Sequence, residues 1–151
     1  MRLFNGVSEF REAVGTHLGY SEWHTISQRQ IDTFADATGD HQWIHVDPAK
    51  ASTSSFGSTI AHGFLTLSLV PKLTWQIYKV NGLQMEINYG ANSLRFPAPV
   101  PVGSQVRAGI ELLSVEPCGN ACYQAVSRVT IERQERDKPA CVVESISLLV
   151  P

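Results

Sequence analysis

The segment TGDHQWIHVDP, residues 38–48, places Asp40, His41, His45 and Asp47 close together. A carboxylate beside an imidazole is equipment for moving a proton, since one is charged at neutral pH and the other titrates near ~6.5. Asp40 and His45 are separated by five positions. On a helix, five steps leave two side chains about 140° apart. On a strand, an odd separation sends them to opposite faces. The pair converges only in an irregular segment, which Gly39 before it and Pro48 after it predict. Two other readings attach to the same residues. His41 to His45 imitates the HExxH zinc motif, but Gln42 stands where the general base belongs and Gly39 argues against a helix through both histidines. The plainer alternative is a polar loop whose Asp40 caps backbone N–H groups and whose histidines are merely hydrogen-bonded.

Thr59-Ile60-Ala61-His62-Gly63 follows and opens a long apolar stretch. A helix start presents free N–H groups and the positive end of the dipole. Gly63 has no side chain to block approach to its amide, so a developing oxyanion could sit there. Close helix–sheet packing explains a glycine equally well. His62 reads as a structural residue of the helix start.

The elements that must position these groups fall into three zones. In the first, 1–51, Ser8 is expected to cap a short helix carrying Phe10, Ala13 and Val14 and stopped by Gly15. Ser27 with Gln30 is a capping-box signature, Ile31, Phe34 and Ala35 repeat at helical spacing, and Gly39 ends that helix. The second zone, 60–80, is apolar nearly all round and predicts a buried central helix kinked by Pro71. The third, 83–149, is β. Leu83, Met85, Ile87 and Tyr89 alternate as in a half-buried strand, and a short segment 94–96 and a proline-broken connection follow. Strands are then expected over 105–116, 121–133 and 140–149, with a hairpin turn at Gly119-Asn120 and a break at Asp137-Lys138-Pro139. One buried helix followed by antiparallel strands predicts an α+β domain whose sheet curls around that helix. Edge-to-edge pairing of two such sheets in a homodimer would remove an exposed edge.

The chain has 151 residues, enough for one domain, with 43% hydrophobic and only 17% charged residues. Its 12 basic and 14 acidic residues give a net charge of −2 without a basic stripe, so no nucleic-acid partner is expected. No stretch is long and apolar enough for a membrane span, and the first residues lack the apolar core of a signal peptide. Cys118, Cys122 and Cys141 have no disulfide-dense spacing, which fits reduced thiols and a cytoplasmic location. CGNAC lacks the further ligands that a zinc site needs, so no metal is expected. The low charge fits a chain that hides surface in a subunit interface.

Asp40 and His45 after Gly39, the IAHGF segment, NYGANSLRFPAPVPVG (residues 88–103) and the strand-rich end together resemble the MaoC-like dehydratases, the (R)-specific enoyl-CoA hydratases. The similarity runs in family order from about Gly19 onward. It implies a single hot-dog domain over 1–151, an antiparallel β-sheet wrapped around a central, mostly apolar α-helix, and a homodimer with a continuous sheet. It also implies reversible addition of water to trans-2-enoyl thioesters of CoA or an acyl carrier protein, within fatty acid metabolism. His45 is then the proton acceptor, Asp40 co-base and shuttle, and the Gly63 N–H the oxyanion donor. No cofactor is implied, since CoA arrives with the substrate. The family pattern commonly carries Asn and Pro where this chain has Gln42 and Trp43. Gln42 keeps a carboxamide that could orient a water or Asp40, and Trp43 is a candidate wall of the acyl channel. Arg95, Lys72 and Lys79 are candidate phosphate partners. A hot-dog acyl-CoA thioesterase and a non-catalytic acyl-thioester-binding subunit of a heteromeric dehydratase are the alternatives.

Overall fold

Leu65, Leu69 and Leu73 recur every four residues, and in the structure this stripe is at most 6% exposed. Spacing of four keeps the residues on one helix face, which lies against the sheet. The computed structural model describes residues 1–119 and 121–151. In chain order the elements are β1 (Arg2–Phe4), α1 (Val7–Glu12), β2 (His17–Tyr20), β3 (His24–Thr25), α2 (Gln28–Thr38), α3 (Trp43–Val46) and α4 (Pro48–Ser52). They continue with α5 (Gly63–Ser68), α6 (Val70–Thr74), β4 (Tyr78–Val80), β5 (Met85–Arg95), β6 (Gln105–Pro117), β7 (Tyr123–Arg133) and β8 (Cys141–Val150).

Six strands form one antiparallel sheet in the order β2-β6-β7-β8-β5, with β3 also paired to β6. Val106, Ala108, Ile110 and Leu112 of β6 and Ala125, Val129 and Ile131 of β7 are buried, as are Val143 and Leu149 of β8. These residues and the helix stripe belong to one hydrophobic cluster that reaches from Phe4 to Leu149. The expected wrapped sheet is therefore present.

Several expectations need correction. The central helix does not fill 60–80: it runs from Gly63 to Thr74 and breaks at Leu69 into α5 and α6. Pro71 supplies no N–H and sits in the first turn of α6, where that loss costs nothing. Beyond Thr74 the backbone tightens, with Gln76 N–H donating to Leu73 and Ile77 N–H to Thr74. Tyr78–Val80 then pairs in parallel with β1, so those residues form strand rather than helix. Nor is the helix buried all round, because Phe64 and Trp75 are 63% and 67% exposed.

The first helix starts at Val7 with Gly6 at its N-cap, not with Ser8 as a side-chain cap. Gly6 adopts φ 100°, a conformation suited to glycine, and its carbonyl accepts the Phe10 N–H. Strands β1, β2 and β3 were not expected, because two to four residues carry too little alternation to read. By contrast, Ser27 caps α2 through the Gln30 N–H, and Gly39 ends it in the left-handed region as predicted.

Strand β5 continues unbroken from Met85 to Arg95 and includes the segment expected to stand alone. Its residues are not half-buried: Met85, Ile87 and Tyr89 are 50%, 41% and 63% exposed. The reason is position, since β5 is the edge of the sheet and among the described residues pairs with β8 alone. β6 and β7 do form a hairpin, with Pro117 opposite Tyr123; of the expected turn, Asn120 lies outside the described residues.

Leu73 is fully buried in the helix stripe. Leu73→Ala is expected to lower unfolding free energy by about 2–5 kcal/mol in urea titration. A loss under about 1 kcal/mol would show that the stripe is not the core contact described.

Candidate active site

Helix α2 ends at Gly39, whose φ of 80° and N–H bond to Ala35 turn the chain sharply. Residues 39–42 form the irregular segment that the five-residue spacing requires. The single turn of α3 then begins, with the His45 N–H bonded to the Gln42 carbonyl at 2.9 Å. This path brings Asp40 and His45 to one cavity of about 480 Å³, which Gly63 and His62 also line. Phe34 and Phe64 supply its aromatic walls.

His45 is 6% exposed, and its Nδ1 lies 2.7 Å from the Ile60 carbonyl. A carbonyl only accepts, so Nδ1 carries the hydrogen and Nε2 keeps its lone pair. Burial is the main influence holding the His45 pKa below the ordinary histidine value. The Ile60 hydrogen bond and the Asp40 charge oppose that shift, while neighbouring His62 adds to it. His45 is thus a neutral base at neutral pH. Asp40 is exposed and accepts the Gln42 N–H at 3.4 Å, a long contact.

Gly63 is the first residue of α5, so its N–H has no acceptor within the helix. A Cβ there would lie 2.8 Å from Cδ2 of Phe96, so glycine is also required by packing. Gln42 meets the loop through its backbone; among the described residues its carboxamide has no hydrogen-bond partner, and it does not line the cavity. His41 turns away to Asp36 at 2.9 Å, outside the cavity, which separates the two histidines of the apparent zinc motif. Asp47 caps α4 through the Lys50 N–H. Trp43 lies under the Lys50 ammonium rather than in the cavity wall. Arg95 donates to the neighbouring Leu94 carbonyl and Lys72 contacts His24; neither they nor Lys79 line the cavity.

Two residues of the site were missed in the sequence. His62, read as structural, is 3% exposed and stacks on His45 with ring centroids 3.8 Å apart and planes at 24°. Its Nε2 donates to the Asp40 carbonyl at 2.9 Å, tying the loop to the helix start, while its buried Nδ1 has no hydrogen-bond partner among the described residues. Gln28 donates to the His45 carbonyl at 2.8 Å and accepts from the Thr59 hydroxyl, which joins α2 to both sides of the site. The adjacency of His62 to Gly63 was the available signal for the first; nothing local in the sequence marked the second. Asp40, His45 and His62 offer ligand atoms within 4.8 Å of one another. Nearly face-to-face rings keep their in-plane lone pairs in nearly parallel planes, a poor match to the converging donors of a tetrahedral ion.

Residues 9–134 match the family model described as MaoC like domain, and the chain belongs to that family of dehydratases. It is 55% identical over 146 residues to the 3-hydroxyacyl-thioester dehydratase Z of Mycobacterium tuberculosis, covering 97% of each chain. The solved (R)-hydratase of Aeromonas caviae, involved in PHA biosynthesis, superposes with a TM-score of 0.70 at 28% identity, covering 91% of this chain and 96% of that one. The ChsH1-ChsH2 complex of M. tuberculosis includes a chain with a TM-score of 0.67 at 16% identity, over 91% and 98% of the two chains, a likeness of fold alone. The hot-dog fold is established by these relatives together with the wrapped sheet.

With His45 as the candidate base and burial the main cause of its lowered pKa, the acid limb of kcat/KM is expected below the ordinary histidine value of about 6.5. His62→Phe keeps a stacked ring but removes the neighbouring positive influence and the loop bond. Its acid limb is expected to move upward, with kcat/KM about five- to tenfold lower, the loss of one hydrogen bond. An unmoved limb in a folded variant would overturn this role for His62.

Proposed function

We propose that the protein is a 3-hydroxyacyl-thioester dehydratase that catalyses reversible hydration of trans-2-enoyl thioesters to (R)-3-hydroxyacyl thioesters. The observation that carries the reading is the His45 tautomer: with Nδ1–H held by Ile60, Nε2 is free to take a proton beside the Asp40 carboxylate. Similarity to the mycobacterial dehydratase and the Aeromonas hydratase supports the substrate class.

In the hydration direction, a water between Asp40 and His45 loses a proton to Nε2 as its oxygen bonds to C3. The double-bond electrons move toward the thioester, whose oxygen becomes an enolate facing the Gly63 N–H. A donor of this type is typically worth ~2.7–4 kcal/mol of barrier. The proton returns to C2 through Asp40, so the pair ends as it began and the net change is addition of H and OH. The steps use groups of this chain and the thioester, with no metal or redox cofactor. CoA and an acyl carrier protein are both compatible carriers. A cytoplasmic location accords with the three thiols, and no described helix is long and apolar enough to cross a membrane.

Incubation with crotonyl-CoA should lower enoyl absorbance without releasing thiol. Asp40→Asn and His45→Gln should each lower kcat by at least about 100-fold while remaining folded. Thiol release would identify a thioesterase. Binding without turnover by the isolated chain would favour the role of a subunit in a heteromeric dehydratase.

The homodimer is proposed from the bare edge of β5 together with Phe64, Trp75 and Ile87, exposed apolar residues on or near that edge. Sedimentation equilibrium should give twice the chain mass. Ile87→Asp, which puts a like charge on both copies, should shift the equilibrium toward monomer; a wild-type monomer at micromolar concentration would sink the proposal.

A further inference from the structure

The β6–β7 hairpin carries a chemical feature that the hydratase reading leaves unused. Cys118 and Cys122 follow Pro117 and precede Tyr123, the last facing pair of the ladder. The Cys118 N–H donates to the Cys122 carbonyl at 2.8 Å, so the two residues face one another across the hairpin. Their Sγ atoms are 2.7 Å apart, and both residues are half-buried rather than sealed. Cys141, in contrast, is fully buried in β8, and burial pushes its thiol up to about 11.

We propose that Cys118 and Cys122 form a dithiol site that closes to a disulfide by exchange with a small-molecule disulfide such as oxidised glutathione. One cysteine thiolate attacks a glutathione sulfur, the glutathione S–S bond breaks, and one glutathione leaves as thiol. The second cysteine, as thiolate, attacks the Sγ of the first, which breaks the mixed disulfide, forms the intramolecular S–S bond and expels the other glutathione. Two protein thiols are oxidised and one external disulfide is reduced to two thiols, with protons passing to solvent. Cross-strand cysteines held this close need little backbone movement to bond. The hydrogen bond that the Cys118 thiol shares with Cys122 Sγ favours its protonated form and raises it above its ordinary value, so exchange is faster in mildly alkaline buffer.

The site is remote from the proposed chemistry. Tyr123 faces Leu149 near the end of β8, whereas Arg95, next to the Phe96 that covers Gly63, faces Val142 at its beginning. Closure therefore fastens one end of the sheet without touching Asp40 or His45, and the inference stands whether or not the chain is a hydratase.

The test uses the full, reduced chain equilibrated against graded ratios of reduced to oxidised glutathione, then alkylated in denaturant and weighed intact. The expected wild-type product has lost two hydrogens and two alkylatable thiols together, and retains Cys141 as a thiol. Cys118→Ser and Cys122→Ser should each stop at a mixed disulfide that retains one glutathionyl group. The oxidised wild type should melt several degrees higher than the reduced form, a shift that neither variant shows. Three intact thiols at the most oxidising ratio, or stable glutathionyl groups on the wild type without closure, would overturn the proposal. So would a lower melting temperature on closure, because the bond would then not fit the folded hairpin.

Discussion

The 2.7 Å bond from Nδ1 of His45 to the Ile60 carbonyl is the constraint to which most of the architecture answers. It fixes a tautomer, and a tautomer is useful only if the acceptor cannot wander. Ile60 is accordingly held from several sides. Its N–H donates back to the Ile44 carbonyl at 3.0 Å, which makes the contact with α3 reciprocal. On its other edge, Thr59 accepts from Val102 and Ala61 donates to Val100. The strap that provides those partners contains Pro97, Pro99 and Pro101, three alternate residues without an N–H. An extended strap of this pattern can pair along one side and leaves no unpaired donors on the other. The prolines that argue against a central strand are thus suited to a one-sided brace under the base.

The same region explains how two titratable groups five residues apart come to stand in different surroundings. Asp40 stands exposed just past a helix end, whereas His45 is buried against Ile60 and stacked on His62. Burial favours the neutral imidazole of His45. His62 links the two, since its ring packs on one and its Nε2–H grips the backbone of the other. Its unpartnered Nδ1 is a local violation of hydrogen-bond satisfaction, which costs about 1–3 kcal/mol at an ordinary buried site. Such violations concentrate where geometry is specified for function rather than stability.

What could be read in the sequence follows from how local each cause is. The Ser27 cap, the Gly39 terminus and the bend after it depend on neighbouring residues, and all were legible. The convergence of Asp40 and His45 was legible too, by excluding helix and strand for their spacing. Gln28 was not, because its bonds reach residues 17 and 31 positions away. The importance of His62 was hidden because stacking on His45 depends on how two distant segments pack. The short strands escaped notice, since β2 and β3 take their identity from β6, and β1 and β4 from each other, rather than from their own pattern.

Strand β5 shows where periodicity stops being informative. Alternation at Met85 and Ile87 correctly reported two different faces, but it could not say which face meets the helix. In the structure Glu86 and Asn88 join Ser127, Ser145 and Ser147 around a small cavity beside α6, while Met85 and Ile87 remain open. Glu86 and Asn88 are themselves exposed, so both faces of the strand stay open there and alternation carries no burial signal. The low charged fraction then has a local counterpart: Phe64, Trp75, Met85, Ile87, Tyr89 and Phe96 are all exposed and lie on β5, next to it, or along the helix. Phe64 also walls the cavity that Asp40 and His45 line, so the exposed apolar surface and the candidate site share a side chain.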